Sequence, residues 1–157
     1  MREIKFRVWD KKTKKMRQLV NIVFNAGFGV EPNDNTIKLI WVKGKDIIED
    51  KDIQIQREDN FELMQFTGLH DKNRKEIYEG DILQEIYYSF SNDEYDTKGF
   101  KKAIIQVVWK DKASAFVFKV VKKVDIEMPK DYKEPYREVI GNIYENSELL
   151  KGADNIE

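Results

Sequence analysis

Apolar and polar residues alternate in short runs along this chain, which is the pattern of β-strands that bury one face. Near the start, Ile4, Phe6 and Val8 alternate with charged or bulky residues, and a lysine-rich turn at 10–14 separates them from a second apolar run at 16–20. Two such runs around a short polar turn predict a β-hairpin.

The residues that follow this hairpin give a less regular pattern. Asparagine, glycine and proline mark loops within 25–35, and the apolar run 37–42 predicts a further strand. The acidic segment 44–59 carries isoleucine at irregular spacing, so it fits a short strand, a short helix or a linker.

Alternation becomes clear again from Phe61 onward. Polar residues predict a turn at 71–75 and a long hairpin tip at 89–102, and Asn146 is placed to cap a short helix over 147–151. The strands that the alternation predicts in this part of the chain lie at 61–66, 76–78, 82–88, 103–109, 115–121 and 136–140.

This succession of short strands predicts a mainly β fold with a minor α component. We expect residues 61–157 to form a small SH3-type barrel that ends in a short helix, and residues 1–60 to form a β-rich lobe packed on it. Composition agrees, because Ile and Val total 29 residues while the better helix formers Leu and Ala total 12.

Composition also narrows the function. The chain has 157 residues, no Cys and one His, which excludes disulfides, thiolate catalysis and metal sites built from Cys or several His. No apolar run is long enough to span a membrane, and the first residues lack the apolar core of a signal peptide. The sequence therefore predicts a cytoplasmic protein without a cofactor.

Three segments of the chain resemble the YopX family. They are 4–10, 66–82 and 140–149, and together they span nearly the whole sequence. The chain departs from the family pattern at Arg74, where glycine is usual, and at Ser147, where proline is usual. The resemblance implies a phage or prophage protein with a C-terminal SH3-type barrel and self-association. It implies no reaction, and Arg74 leaves the type of its turn open.

The central motif contains residue types that serve in catalysis. Asp71, Asp81, Glu76 and Glu79 could act as paired carboxylates, with His70 as a proton carrier. A structural role fits better, because aspartate in a turn accepts backbone hydrogen bonds and no nucleophile–base set accompanies these carboxylates. This interpretation predicts that the protein is not an enzyme.

Two stretches could attract a hard cation. Asp71 and Asn73 begin like a calcium-binding loop, but Lys75 stands where the next oxygen ligand is required. The acidic residues within 93–96 could bind a cation loosely, although such a hairpin tip is usually only solvated. Neither stretch predicts a metal site.

The distribution of charge is more informative than its sum. The net charge is −1, but residues 1–20 and 97–133 each carry +6, and the remaining three blocks are all negative. Basic residues of the two positive blocks form the candidate binding surface: Lys11, Lys12, Lys14, Lys15, Arg17, Lys101, Lys102, Lys122 and Lys123.

Two kinds of partner fit these blocks. Lysines attract phosphates, and Tyr87, Tyr88 or Phe100 could stack on bases, which favours nucleic acid if both positive blocks share one face. Alternating charge also favours a homo-oligomer and binding to a host or phage protein. The leading hypothesis is a non-enzymatic phage or prophage accessory protein that self-associates and binds a macromolecule. The alternative is an SH3-barrel-type nucleic-acid-binding module, and a small hydrolase using Asp71 and Asp81 ranks third.

Overall fold

Ten strands and two short 3₁₀ turns make up the secondary structure of the described residues. The structure is a computed structural model and describes residues 3–24, 37–42, 53–55, 61–90, 98–130, 132 and 136–151. The predicted loops at 25–35, most of the acidic segment 44–59 and the acidic tip 93–96 lie outside these residues. The strands are β1 (Phe6–Asp10), β2 (Lys15–Phe24), β3 (Ile37–Val42), β4 (Ile53–Ile55), β5 (Phe61–His70), β6 (Glu76–Tyr78), β7 (Asp81–Ser89), β8 (Gly99–Lys110), β9 (Ala115–Ile126) and β10 (Tyr136–Asn142).

The mainly β fold is confirmed. Every strand pair is antiparallel, and the described residues contain no α-helix. The expected helical part is limited to 3₁₀ turns at Asp111–Ala113 and Ser147–Leu150. Within the described part of the chain, no helix has the length and apolar character needed to cross a membrane.

The chain divides into two compact units, Ile4–Gln65 and Phe66–Glu157, the latter together with Met1–Glu3. The expected domains 1–60 and 61–157 remain a prediction, because a division into compact units does not show that either part folds alone. In the first unit the strands follow the order β4-β3-β2-β1-β5. The predicted β1–β2 hairpin is confirmed by its antiparallel ladder.

Asp10 closes the turn of the β1–β2 hairpin. Its carboxylate accepts the backbone N–H groups of Lys12 and Thr13, both at 3.0 Å, the Thr13 hydroxyl at 2.6 Å and Arg17 Nε at 3.1 Å. Partial burial raises the pKa of Asp10, but these hydrogen bonds outweigh it and lower the pKa below its usual value. The turn is therefore held by this side chain together with the backbone hydrogen bond that Lys14 N–H donates to the Asp10 carbonyl at 2.8 Å.

The second unit is built on a four-stranded sheet in the order β10-β7-β8-β9. Alternate residues of these strands face the hydrophobic core, and we call this side the inner face and the opposite side the outer face. The sheet curls into a half-barrel. No ladder joins β9 to β10 among the described strands, so closure into an SH3-type barrel stays a prediction. The core consists of Ile77, Leu83, Ala103, Ile105, Val107 and Val139.

The β5–β6 hairpin packs against the edge of this sheet. Residues at the end of β5 pair with β6, and the Thr67 hydroxyl donates to the Ile77 carbonyl at 2.8 Å. In the turn that follows, the Lys72 N–H donates to the Arg137 carbonyl of β10 at 2.8 Å. The turn thus continues the hydrogen bonding of the sheet beyond its edge strand.

The closing motif forms a turn after β10. The Asn142 side chain accepts the N–H groups of Tyr144 and Glu145, both at 3.0 Å. The prediction that Asn146 caps a helix is wrong, because its Oδ1 instead accepts the Asn142 N–H at 3.3 Å and makes no capping hydrogen bond. A Cβ at Gly141 would lie 2.4 Å from that oxygen, so this tight turn needs glycine.

Arg74 occupies the left-handed region of backbone conformation, with φ 64°. The turn therefore has the geometry that glycine favours, even though this chain carries an arginine there. A non-glycine residue in this region costs roughly 1–2 kcal/mol, because its Cβ approaches the following carbonyl oxygen. Arg74 is exposed, so its side chain recovers little of that cost by packing.

We predict that Arg74→Gly stabilises the protein. Relief of the backbone strain exceeds the extra chain entropy of glycine, for a net gain of about 0.5–1 kcal/mol and a rise of about 2 °C in Tm. Thermal unfolding followed by circular dichroism measures this. Arg74→Ala is the control, since it removes the side chain and keeps the strain. An equal Tm for the glycine and alanine variants would contradict the strain argument.

Candidate functional site

Asp71 is buried and serves as a hydrogen-bond acceptor for the backbone. One carboxylate oxygen accepts the N–H groups of Asn73 at 2.8 Å and Lys75 at 2.9 Å, and the other accepts the N–H of Val139 in β10 at 3.1 Å. Burial raises the pKa of Asp71, but these backbone hydrogen bonds and the charge of Lys75 outweigh it and lower the pKa below 3.8. The carboxylate stabilises the turn and attaches it to the sheet.

The other acidic residues of the central motif have similar structural contacts. Asp81 is fully buried and accepts the Tyr78 N–H at 2.8 Å, which closes the β6–β7 turn. Glu76 accepts the Tyr78 hydroxyl at 2.7 Å. His70 is exposed, and its ring meets the Phe66 ring edge to face at 5.5 Å. Glu79 lies beside the turn glycine and is half-buried.

These contacts give the acidic residues of the central motif structural roles. Asp71 accepts backbone N–H groups in the turn after β5 and from β10, and Asp81 accepts one in the β6–β7 turn. Among the described residues, no group of three His, Cys, Asp or Glu side chains could hold a metal ion. The structural interpretation of Asp71 and Asp81 is therefore the one that their hydrogen bonds support.

The first basic block lies in the first unit, around the β1–β2 turn. Lys12, Lys14 and Lys15 are exposed. Lys11 forms an ion pair with Glu62 at 2.6 Å, and Arg17 is partly buried against Asp10. The negative partners of Lys11 and Arg17 reduce the charge that this block presents, and Lys12, Lys14 and Lys15 are its exposed part.

One residue of the second basic block was assigned wrongly to the surface. Lys101 is 2% exposed and forms an ion pair with Asp125, its cross-strand neighbour on the inner face. Its position in β8 alternates with that of Lys102, so the two adjacent lysines point to opposite faces of the sheet. Lys123 is half-buried on the inner face with Ala103 as its neighbour, and Lys122 is exposed on the outer face.

The outer face of β7, β8 and β9 combines aromatic rings with lysines. Successive cross-strand rows on this face contain Tyr88, Phe100 and Ile126, then Ile86, Lys102 and Val124, then Gln84, Ile104 and Lys122. Phe90 follows β7 and is 81% exposed. We call the set Tyr88, Phe90, Phe100, Lys102, Lys122 and Val124 the aromatic–lysine face.

Ring contacts hold the aromatic part of this face together. The Tyr88 ring lies 4.8 Å from the Phe90 ring and 5.2 Å from the Phe100 ring, and Phe100 lies 5.0 Å from Tyr132, all with edge-to-face geometry. Such contacts contribute about 0.5–1.5 kcal/mol each beyond the area they bury. They fix the rings on the sheet while Phe90 stays open to solvent.

The sequence identified only part of this face. Tyr88 and Phe100 were predicted as base-stacking residues, and the structure places both on the outer face. Tyr87, the third candidate, packs against the core on the inner face. Phe90 and Tyr132 were not predicted. Phe90 directly follows β7 and Tyr132 lies between β9 and β10, where alternation does not indicate which way a side chain points.

A comparison with protein families matches residues 5–151 to the YopX protein family. The chain belongs to the YopX family. Among solved structures it is similar to the crystal structure of protein EF1440 from Enterococcus faecalis, with 26% identity and a TM-score of 0.54. That similarity covers 96% of this chain and 100% of the other. The curated proteins include no match to this YopX-family chain.

We predict that Asp71→Asn destabilises this YopX-family protein at neutral pH and changes its response to acid. An amide has one acceptor oxygen where the carboxylate has two, so the variant loses about 1–3 kcal/mol. Because the pKa of Asp71 is lowered by folding, its contribution is present above the unfolded value of 3.8 and is lost as pH falls through the folded value.

Urea unfolding of both proteins at pH 7 and at pH 3 measures this. The difference in free energy of unfolding between wild type and Asp71→Asn should shrink at pH 3. Glu148→Gln, an exposed carboxylate-to-amide change, is the control. A difference that is the same at both pH values would show that Asp71 does not supply the acid-sensitive stabilisation.

Proposed function

We propose that this YopX-family chain is a non-enzymatic phage or prophage accessory protein that acts by binding a macromolecule. In this proposal the half-barrel, of the SH3 type that the sequence predicts, is the scaffold. The aromatic–lysine face on its outer side is the contact surface. The observation that carries the proposal is the exposure of Phe90 and Val124 on a face that also carries Lys102 and Lys122.

Exposed aromatic side chains support a binding role for physical reasons. A phenylalanine that is 81% exposed gives up the hydrophobic stabilisation that burial would provide, about 1.5–3 kcal/mol. Val124 and Met128, both near the same end of β9, are also exposed, at 41% and 64%. An apolar patch with a lysine rim is typical of interaction sites.

The acidic turn residues support the non-enzymatic part of the proposal. Asp71 and Asp81, the carboxylates that best fitted a catalytic role, accept backbone N–H groups within 3.1 Å and hold turns. Replacing either residue would therefore destabilise the turn that it holds. The hydrolase hypothesis therefore has no support from the positions of these two residues.

We predict that capture of a macromolecule depends on the aromatic–lysine face. Immobilised protein is incubated with lysate of the bacterium that carries the gene, with and without nuclease treatment. The variant Phe90→Ala/Lys122→Gln should recover about tenfold less than wild type, because truncated interface anchors cost this much or more. Both positions are exposed, so the variant should fold normally.

The control variant is Leu69→Ala/Lys112→Gln, which makes the same kind of change at exposed positions outside the face. It should recover as much as wild type. Equal recovery by wild type and by the face variant, from both lysates, would contradict the proposed function.

Self-association is a second part of the proposal. Alternating positive and negative blocks along the chain allow copies to meet through opposite charges. At least one register of pairing through the outer edge of β9 is disfavoured. Antiparallel pairing of two β9 strands about Val120 and Val121 would place Lys119 opposite Lys122, and like charges directly opposite each other are destabilising.

We predict a multimer at low salt that dissociates as salt rises, since screening weakens contacts between surface charges. Gel filtration with light scattering measures the mass at both salt concentrations. A monomer at high micromolar concentration and low salt would contradict self-association.

A further inference from the structure

We infer that the aromatic–lysine face binds single-stranded nucleic acid, with bases stacked on Phe90 and Tyr88 and phosphates bound by Lys102 and Lys122. This inference deepens the proposed function and rests on it. It names the chemical class of the partner and the residues that contact each part of it.

The aromatic rings can accept unpaired bases. Phe90 is 81% exposed, and its edge-to-face contact with Tyr88, at a centroid distance of 4.8 Å, holds the ring in place without covering it. Every base offers a π-face, so stacking on such rings does not depend on sequence. Bases in a duplex are already stacked on one another, which favours single strands.

The lysines lie where a backbone would run beside these rings. Lys102 occupies the row next to Tyr88 and Phe100, and Lys122 occupies the row after that. Because Lys102 lies on β8 and Lys122 on β9 one row further, the two lysines are diagonal neighbours about 7–8 Å apart. This spacing is comparable to the distance between consecutive phosphates in an extended strand. Exposed Lys119, opposite Gln106 in the next row, extends the positive line at one end.

The aromatic rings favour nucleic acid over an acidic protein, since the lysines alone would attract either. The face contains lysine and no arginine, so its cations would bind phosphates as point charges. Glu138, which lies on the outer side of β10, is neutralised by Lys72 at 2.8 Å and bonded to Asn73 at 3.3 Å. Stacking rings add an affinity for bases that an acidic peptide could not use.

The test is a titration of labelled oligothymidylate, followed by fluorescence anisotropy, at about 50 and about 200 mM salt. Wild type should bind the single strand more tightly than a duplex of the same length. Phe90→Ala should weaken binding about five- to 150-fold, which is the effect of removing one stacked base. Lys122→Gln should lower the slope of log affinity against log salt by about 0.7.

Two further variants complete the design. Lys112→Gln removes a lysine at the opposite end of the β8–β9 hairpin and should leave the slope unchanged. Glu127→Gln removes an exposed acid next to Ile126 and should strengthen binding. Unchanged melting temperatures show that each variant is folded.

The outcomes separate this inference from the proposed function. Absence of binding to oligothymidylate at low salt, or equal binding of the duplex, overturns the inference. If face-dependent capture then persists from nuclease-treated lysate, the proposed function stands with a protein partner. If that capture is also absent, both fail. Binding that Phe90→Ala does not weaken likewise overturns the inference.

Discussion

The carboxylate of Asp71 joins its own turn to a strand that is distant in sequence, and the attachment of this turn to the sheet depends on this contact. Two hydrogen bonds, to Asn73 and Lys75, shape the turn after β5. A third, to Val139, reaches 68 residues along the chain to β10. Each N–H left without a partner would cost about 1–3 kcal/mol, so one side chain sets both the shape of the turn and its place on the sheet.

The rest of the central motif serves the same purpose. The Thr67 hydroxyl donates to the Ile77 carbonyl across the hairpin, and Asp81 closes the next turn by accepting the Tyr78 N–H. Gly80 has φ 75°, donates to the Val107 carbonyl of β8 and accepts the N–H of Ile143. The residues by which the YopX family is recognised therefore specify a hairpin and its attachment to neighbouring strands. Recognition of the family consequently identifies the fold better than it identifies a function.

Alternation along the chain was sufficient to predict most strands and the β1–β2 hairpin, because a half-buried strand must place apolar residues on one side. It could not assign Lys101 to the inner face. A lysine is expected at the surface, and only the register with β9 shows that Asp125 lies opposite to neutralise it. Alternation also could not predict where the side chains of Phe90 and Asn146 point. Phe90 follows β7, and a close turn directs the Asn146 side chain to Asn142.

The burial of Lys101 explains why the outer face is the better candidate for binding. With Lys101 paired to Asp125 on the inner face, the charge of the second positive block divides between the two sides of the sheet. The inner face neutralises its charges internally, since Glu85 also pairs with Arg137, whose guanidinium lies 4.2 Å from the Phe118 ring. Lys102 and Lys122 remain on the outer face beside rings held in place by one another. Of the candidate lysines in the second positive block, the two on the outer face therefore lie on the same side of the sheet as Tyr88, which contacts the exposed Phe90.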